Sequence, residues 1–150
     1  MTLKERVQED MKAAMKARDT ARLSAIRLLM AAVKQKEVDE RIELDDAQVT
    51  AVVDKMIKQR KDSIAQFGQA GRQDLVDKEQ AEVDVLSAYL PRQASADEVA
   101  AEIEAAISVT AAAGPQDMGK VMGVLKSKLA GRTDLSAVSG QVRARLARPA

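Results

Sequence analysis

Apolar residues recur every three or four positions along almost the whole of this 150-residue chain, and the runs are separated by residues that stop and restart helices. That pattern constrains the fold more than any other feature. Leu3, Val7, Met11 and Met15 make a first stripe, which should end near Arg18. Asp19 can cap a second helix with Leu23, Ile26, Met30 and Val33 on one face and Arg22, Lys34 and Lys36 elsewhere, and the polar stretch from Val38 to Glu43 reads as a turn. Asp45 with Gln48 is a capping-box variant opening a long helix striped by Val49, Val52, Val53, Met56, Ile57, Ile64 and Phe67. After a loop flanked by Gly68 and Gly71, a fourth helix carries Leu75, Val83, Leu86 and Leu90 and is stopped by Pro91. Short loops between consecutive helices predict antiparallel hairpins that bury these stripes together.

Pro91 to Ala94 is the best boundary in the chain. Beyond it, Ser95 with Glu98 predicts another capping box, before a helix bearing Val99, Ile103 and Ile107. Gly114-Pro115 marks a turn. Met118, Val121, Met122, Leu125 and Leu129 stripe a short helix ending at Gly131, and Asp134 caps a last one with Leu135, Val138, Val142 and Leu146. The expected architecture is therefore all-α: an N-terminal helical domain over residues 1–91, and a small three-helix bundle over residues 92–150, near the lower size limit for folding alone. Composition agrees with helices. The apolar fraction is Ala, Val, Leu, Ile and Met with one Phe, one Tyr and no Trp, so strand-forming aromatic runs are missing.

The chain has no Cys and no His, which removes thiol nucleophiles, thiolate or imidazole metal sites and imidazole bases. No phosphate-binding loop, dinucleotide fingerprint, calcium loop or serine elbow occurs, so no residue is expected to be catalytic, and no cofactor or metal is expected. The acidic clusters Asp45-Asp46 and Glu37 to Glu43 sit at a helix start and in a polar turn, where capping and solvation account for them. The N-terminal segment alternates charge with apolar residues and lacks a signal-peptide run, so the expected location is the cytoplasm, with no membrane association.

Charge is balanced overall, at 24 basic and 23 acidic residues, but unevenly placed. Residues 115–150 hold seven cations against Asp117 and Asp134, and this is the end a polyanion should prefer. Lys120, Lys126, Lys128 and Arg132 lie near Gly119 and Gly123, while Arg143, Arg145 and Arg148 decorate the last helix. Gly119 and Gly123, four apart, read first as a site of close helix packing, and second as a place where a phosphate backbone approaches the main chain. Without aromatic residues for stacking, such a surface suits contacts with the shape and backbone of a folded nucleic acid rather than base reading.

Several runs resemble successive blocks of one family. Arg27-Leu-Leu-Met-Ala-Ala-Val-Lys34, Ile57-Lys-Gln-Arg-Lys-Asp-Ser63, Ala70-Gly-Arg-Gln-Asp-Leu75, the run from Glu79 to Leu86, and Tyr89-Leu-Pro91 are similar to the YqeY family, in order and over essentially the whole chain. Asp117-Met-Gly-Lys-Val-Met122 followed by Gly131-Arg132 resembles the tail domain that this family shares with the B subunit of glutamine-dependent tRNA amidotransferases. Two positions depart: Ala94 stands where a larger apolar residue is commoner, and Thr133-Asp134-Leu135 replaces an alanine-containing turn. The resemblance implies a helical fold with a small three-helix C-terminal part, and a role in holding tRNA. It carries Gly119, Lys120, Gly123 and Arg132 over as tRNA-backbone contacts; Lys126, Lys128, Arg143 and Arg145 join them on charge alone.

The expected function is a non-catalytic tRNA-binding accessory module acting beside an aminoacyl-tRNA synthetase or an amidotransferase subunit. Two alternatives stand beside it. One is a component of a carbon–nitrogen ligase with glutamine as amido-N-donor, active only in a complex; the other is a protein-binding helical adaptor.

Overall fold

The computed structural model describes residues 1–148, so the last two residues of the expected C-terminal part lie outside the described residues. Among the described residues the chain forms seven α-helices and one short 3-10 turn, with no strand, as the all-α reading expected. The helices are α1 (Leu3–Ala17), α2 (Thr20–Glu40), α3 (Asp46–Gln69), α4 (Gln73–Ser87), α5 (Ala96–Thr110), α6 (Met118–Leu129) and α7 (Leu135–Leu146), with the 3-10 turn at Pro115–Asp117. Two compact units result, one spanning Met1–Leu90 and the other beginning at Pro91. Each has its own apolar cluster.

In the first unit α3 and α4 form the most extensive pairing, while α2 packs on α1 and α4. Ile26, Leu29, Val49, Val53 and Leu86 are fully enclosed at its centre. Truncating a side chain such as Leu29 to Ala removes about 2–5 kcal/mol from a site of this kind. Polar staples fix the entries. Thr2 and Glu5 form a reciprocal capping box on α1, as do Asp45 and Gln48 on α3. Lys4 Nζ lies 2.7 Å from Glu37 Oε2, which also accepts the Leu44 amide at 2.9 Å, tying α1 to the end of α2 and the following loop. Arg60 donates to Glu82 at 2.7 Å between α3 and α4. At the end of the unit the buried Tyr89 donates its hydroxyl to Asp10 at 2.6 Å, and Arg6 stacks over the Tyr89 ring while bonding the Ala88 carbonyl.

Four details of the first unit differ from the sequence expectation. Helix α4 ends at Ser87 rather than running through Leu90 to Pro91, and Tyr89 and Leu90 close a turn by bonding the carbonyls of Leu86 and Ser87. Met15 is half exposed, and Ala14 takes its place in the core. A step of four residues advances 400° around a helix, so the stripe beginning at Leu3 drifts off the buried face, whereas the seven-residue step from Val7 to Ala14 returns to it. Helix α2 continues through Val38 to Glu40, and the turn begins only at Arg41, which takes a left-handed conformation as the C-cap. Ile64 and Phe67 are only partly buried, because the far end of the α3–α4 hairpin extends beyond the buried cluster, which on α3 ends at Ile57.

In the second unit α5 and α7 each pair with α6 or flank it around Val121, Leu125, Leu129, Val138 and Val142. The expected box at Ser95 is only half formed. Ser95 Oγ accepts the Glu98 amide at 3.1 Å, but the Glu98 carboxylate is turned to Arg92 and Arg132 instead of back to the cap.

Candidate nucleic-acid interface

Helix α6 is positioned by the turn that precedes it. Asp117 accepts the Ala113 amide at 2.8 Å and the Gly114 amide at 3.4 Å, and the Ala113 bond is the chief reason its carboxyl sits below the ordinary range. Val121, Leu125 and Leu129 then face the core. Gly119, Lys120, Gly123, Lys126 and Ser127 are all exposed, and their spacing gathers them on one outer arc of about 120°.

The packing reading of the two glycines is overturned. A Cβ built on Gly119 or Gly123 would meet no atom within 4 Å, and the same holds for Gly140 on α7. No helix crosses closely there, so these glycines leave bare main chain facing solvent.

Six of the seven cations divide into two groups. Lys120 and Lys126 stand on the glycine arc; Lys120 is 4.0 Å from Asp117, and Lys126 forms no ion pair among the described residues. Arg143 is exposed on α7, likewise with no ion pair among the described residues. The remaining three are drawn to carboxylates of α5: Lys128 to Glu102 at 3.5 Å, Arg145 to Glu104 at 2.7 Å, and Arg132 to Glu98 at 2.8 Å. Lys128 points away from the arc by helical geometry, since it is five positions beyond Gly123.

Arg132 is a clamp. Its Nε donates to the Arg92 carbonyl at 3.0 Å while its own carbonyl accepts the Ala94 amide at 2.8 Å, and Gln93 donates to the Gly131 carbonyl at 2.8 Å. Gly131 has φ +74°, a left-handed conformation that strains other residues, so Gly131-Arg132 is required by this turn and its bonds to residues 92–94. The bond from Arg92, and then that from Arg132, pulls the Glu98 carboxyl from 4.5 down to about 2. A count of charges over residues 115–150 misses this, because the neutralising carboxylates come from α5, earlier in the chain. The outward Ser127 and Gly140 were also not among the expected residues; their signal was the i, i+4 spacing from Gly123 to Ser127 and the i, i+3 spacing from Gly140 to Arg143.

No helix among the described residues is long and apolar enough to cross a membrane. The first unit has a cleft of about 200 Å³ between α1, α2 and the start of α3, floored by Val7, Val33 and Val49, which is smaller than the usual small-molecule pocket.

Comparison with known proteins adds the family. The model of the family described as Yqey-like protein matches residues 4–146. The chain is also similar to a protein named "Altered inheritance of mitochondria protein 41, mitochondrial" in several yeasts. The Eremothecium gossypii protein is 40% identical over 102 residues, covering 66% of this chain and 56% of that protein. The Lachancea thermotolerans protein is 39% identical over 103 residues, covering 68% of this chain and 54% of the relative. The Kluyveromyces lactis protein is 42% identical over 84 residues, or 55% of this chain and 45% of that one. The chain thus spans about half the length of these relatives, whose names place them in mitochondria. With its helical architecture and a family match that runs through both units, the chain belongs to the YqeY family.

Proposed function

We propose that this protein is a non-catalytic tRNA-binding accessory module, with the outer arc of α6 laid against the RNA backbone. The observation that carries the reading is the open glycine face. An exposed glycine inside a helix is about 1 kcal/mol less favourable than alanine. Gly123 has room for a methyl group and gains no contact in return, so the bare surface is best explained by close approach of another molecule. Lys120 and Lys126 flank that surface with charge, and Arg143 adds a further exposed cation in the same unit. Such a site has cations for phosphates and no aromatic platform for bases.

Lys128, Arg132 and Arg145 serve this reading differently from Lys120 and Lys126. Their partners on α5 make them part of the scaffold that holds α6 and the following turn. With eight basic and six acidic residues over 92–150, the second unit carries a net +2, so binding should be modest and strongly dependent on salt. We place the module in the cytoplasm, beside an aminoacyl-tRNA synthetase or amidotransferase subunit that performs any chemistry.

The test is a titration of unfractionated tRNA over a salt series. Wild-type protein should bind at low salt, and the Lys120→Gln, Lys126→Gln double variant should lower the slope of log affinity against log salt by about 1.5, since each lost phosphate contact removes roughly 0.7–0.9. Arg132→Gln should lower thermal stability and leave that slope nearly unchanged. Absence of tRNA binding by the wild type at low salt, or a slope indifferent to the double variant, refutes the assignment.

A further inference from the structure

Helix α2 conflicts with the rule that surface helices carry one apolar stripe. Its inner face, Ile26, Leu29 and Val33, is buried as expected. Its outer face carries a second, partly apolar series: Leu28 is 44% exposed and Val38 59% exposed, with the small Ala31 and the polar Gln35 between them. These positions follow the three- and four-residue spacing that keeps side chains in one row. A helix with apolar residues on two faces normally has both of them covered. In this unit α1, α3 and α4 leave the outer row of α2 uncovered.

The row is continuous with an open groove of about 560 Å³ between α2 and α3. Its floor includes Val52 and Met56, and its walls include Ala32 and Ala51. Cations border both sides: Arg27 and Lys34 beside the outer row, Lys36 and Lys55 at the groove. Among the described residues none of these four reaches a carboxylate within ion-pair distance. The groove also holds two carboxylates, Asp39, which accepts a bond from Gln35 at 2.8 Å and keeps its charge, and Glu40, so the four bordering cations outnumber the acidic residues there by two to one.

We propose that the outer face of α2 with the α2–α3 groove is a docking site for an amphipathic helix of a partner protein, one with an apolar stripe bordered by Asp and Glu. The apolar row and groove take the stripe, and the bordering cations pair with its acidic flanks. A helix-in-groove contact of this kind uses anchors at i, i+3, i+4 and i+7. A second copy of this chain fits less well. In an antiparallel α2–α2 pairing Arg27 and Lys34 of the two copies fall on the same side of the seam and repel. RNA has no apolar stripe to cover Leu28 and Val38. This inference concerns the first unit and is independent of the tRNA reading, which rests on the second.

The experiment uses the full chain and a designed, fluorescently labelled 18-residue peptide with leucines at helical spacing and glutamates on both flanks. Controls are a scrambled peptide of identical composition and a version with lysine flanks. The acidic amphipathic peptide should bind, and Leu28→Glu and Val38→Glu, both surface changes, should each weaken it by roughly tenfold or more, with circular dichroism showing an unchanged fold. Equal binding of the scrambled or lysine-flanked peptide, or indifference to both variants, overturns the proposal. So does a wild-type dimer in sedimentation that Leu28→Glu dissolves, which assigns the face to a second copy, or loss of tRNA binding in these variants, which assigns it to RNA.

Discussion

Replacing Gly123 with alanine separates the two meanings an exposed helical glycine can have. The added Cβ would meet nothing within 4 Å, and Gly123 lies in the interior of α6, with its backbone already helical. No steric penalty offsets the gain in helix propensity, so Gly123→Ala should stabilise the second unit by about 0.8–1.0 kcal/mol. For a unit of this size that corresponds to a rise of roughly 4–8 °C in its unfolding midpoint. Urea unfolding followed by circular dichroism gives the same quantity as a shift in midpoint without a change in slope. The same protein is then titrated with tRNA. If the bare backbone exists for a phosphate chain, the methyl group holds the ligand away and affinity falls as stability rises, the trade-off expected where a site is kept at the expense of the fold. A destabilised variant would mean that the glycine face is covered within the protein, and the geometric argument fails. A stabilised variant with undiminished tRNA affinity would leave the fold argument standing and refute the RNA contact at this position.

Two further outcomes follow from the ionisable groups. Glu98 has its folded value lowered to about 2 from 4.5, so the stability it supplies is complete above 4.5 and is lost as pH falls from there towards 2; wild-type protein should lose more stability across that window than Glu98→Gln does, in acid titrations read by circular dichroism. Tyr89 is raised above 10.0 by burial and by its bond to Asp10, so its contribution is complete below 10 and declines as pH rises above that value; Tyr89→Phe should remove this alkaline decline and, at neutral pH, lower stability by about 1 kcal/mol in urea unfolding.

The helices were legible in the sequence because their signals are local. The Asp45–Gln48 box and the Asp19 and Asp134 caps depend on neighbours two to four residues away, and each forms close to where the spacing put it. The charged surface was less legible, because pairing across helices is not local. Glu98 lies 34 residues from Arg132, and Glu104 lies 41 from Arg145, so neither partnership shows in a window of the sequence. The Gly119–Gly123 spacing is compatible with both tight packing and exposure, and only the position of neighbouring helices distinguishes them. The same reasoning explains Arg132, which shares a block with Gly131. Read along the chain, that pair looks like a phosphate site; in three dimensions its glycine supplies the left-handed turn and its arginine closes that turn onto residues 92–98. A motif can therefore recur in relatives for the sake of the scaffold, and the candidate ligand contacts are better sought on the arc where Gly123 and Lys126 have no structural task within the chain.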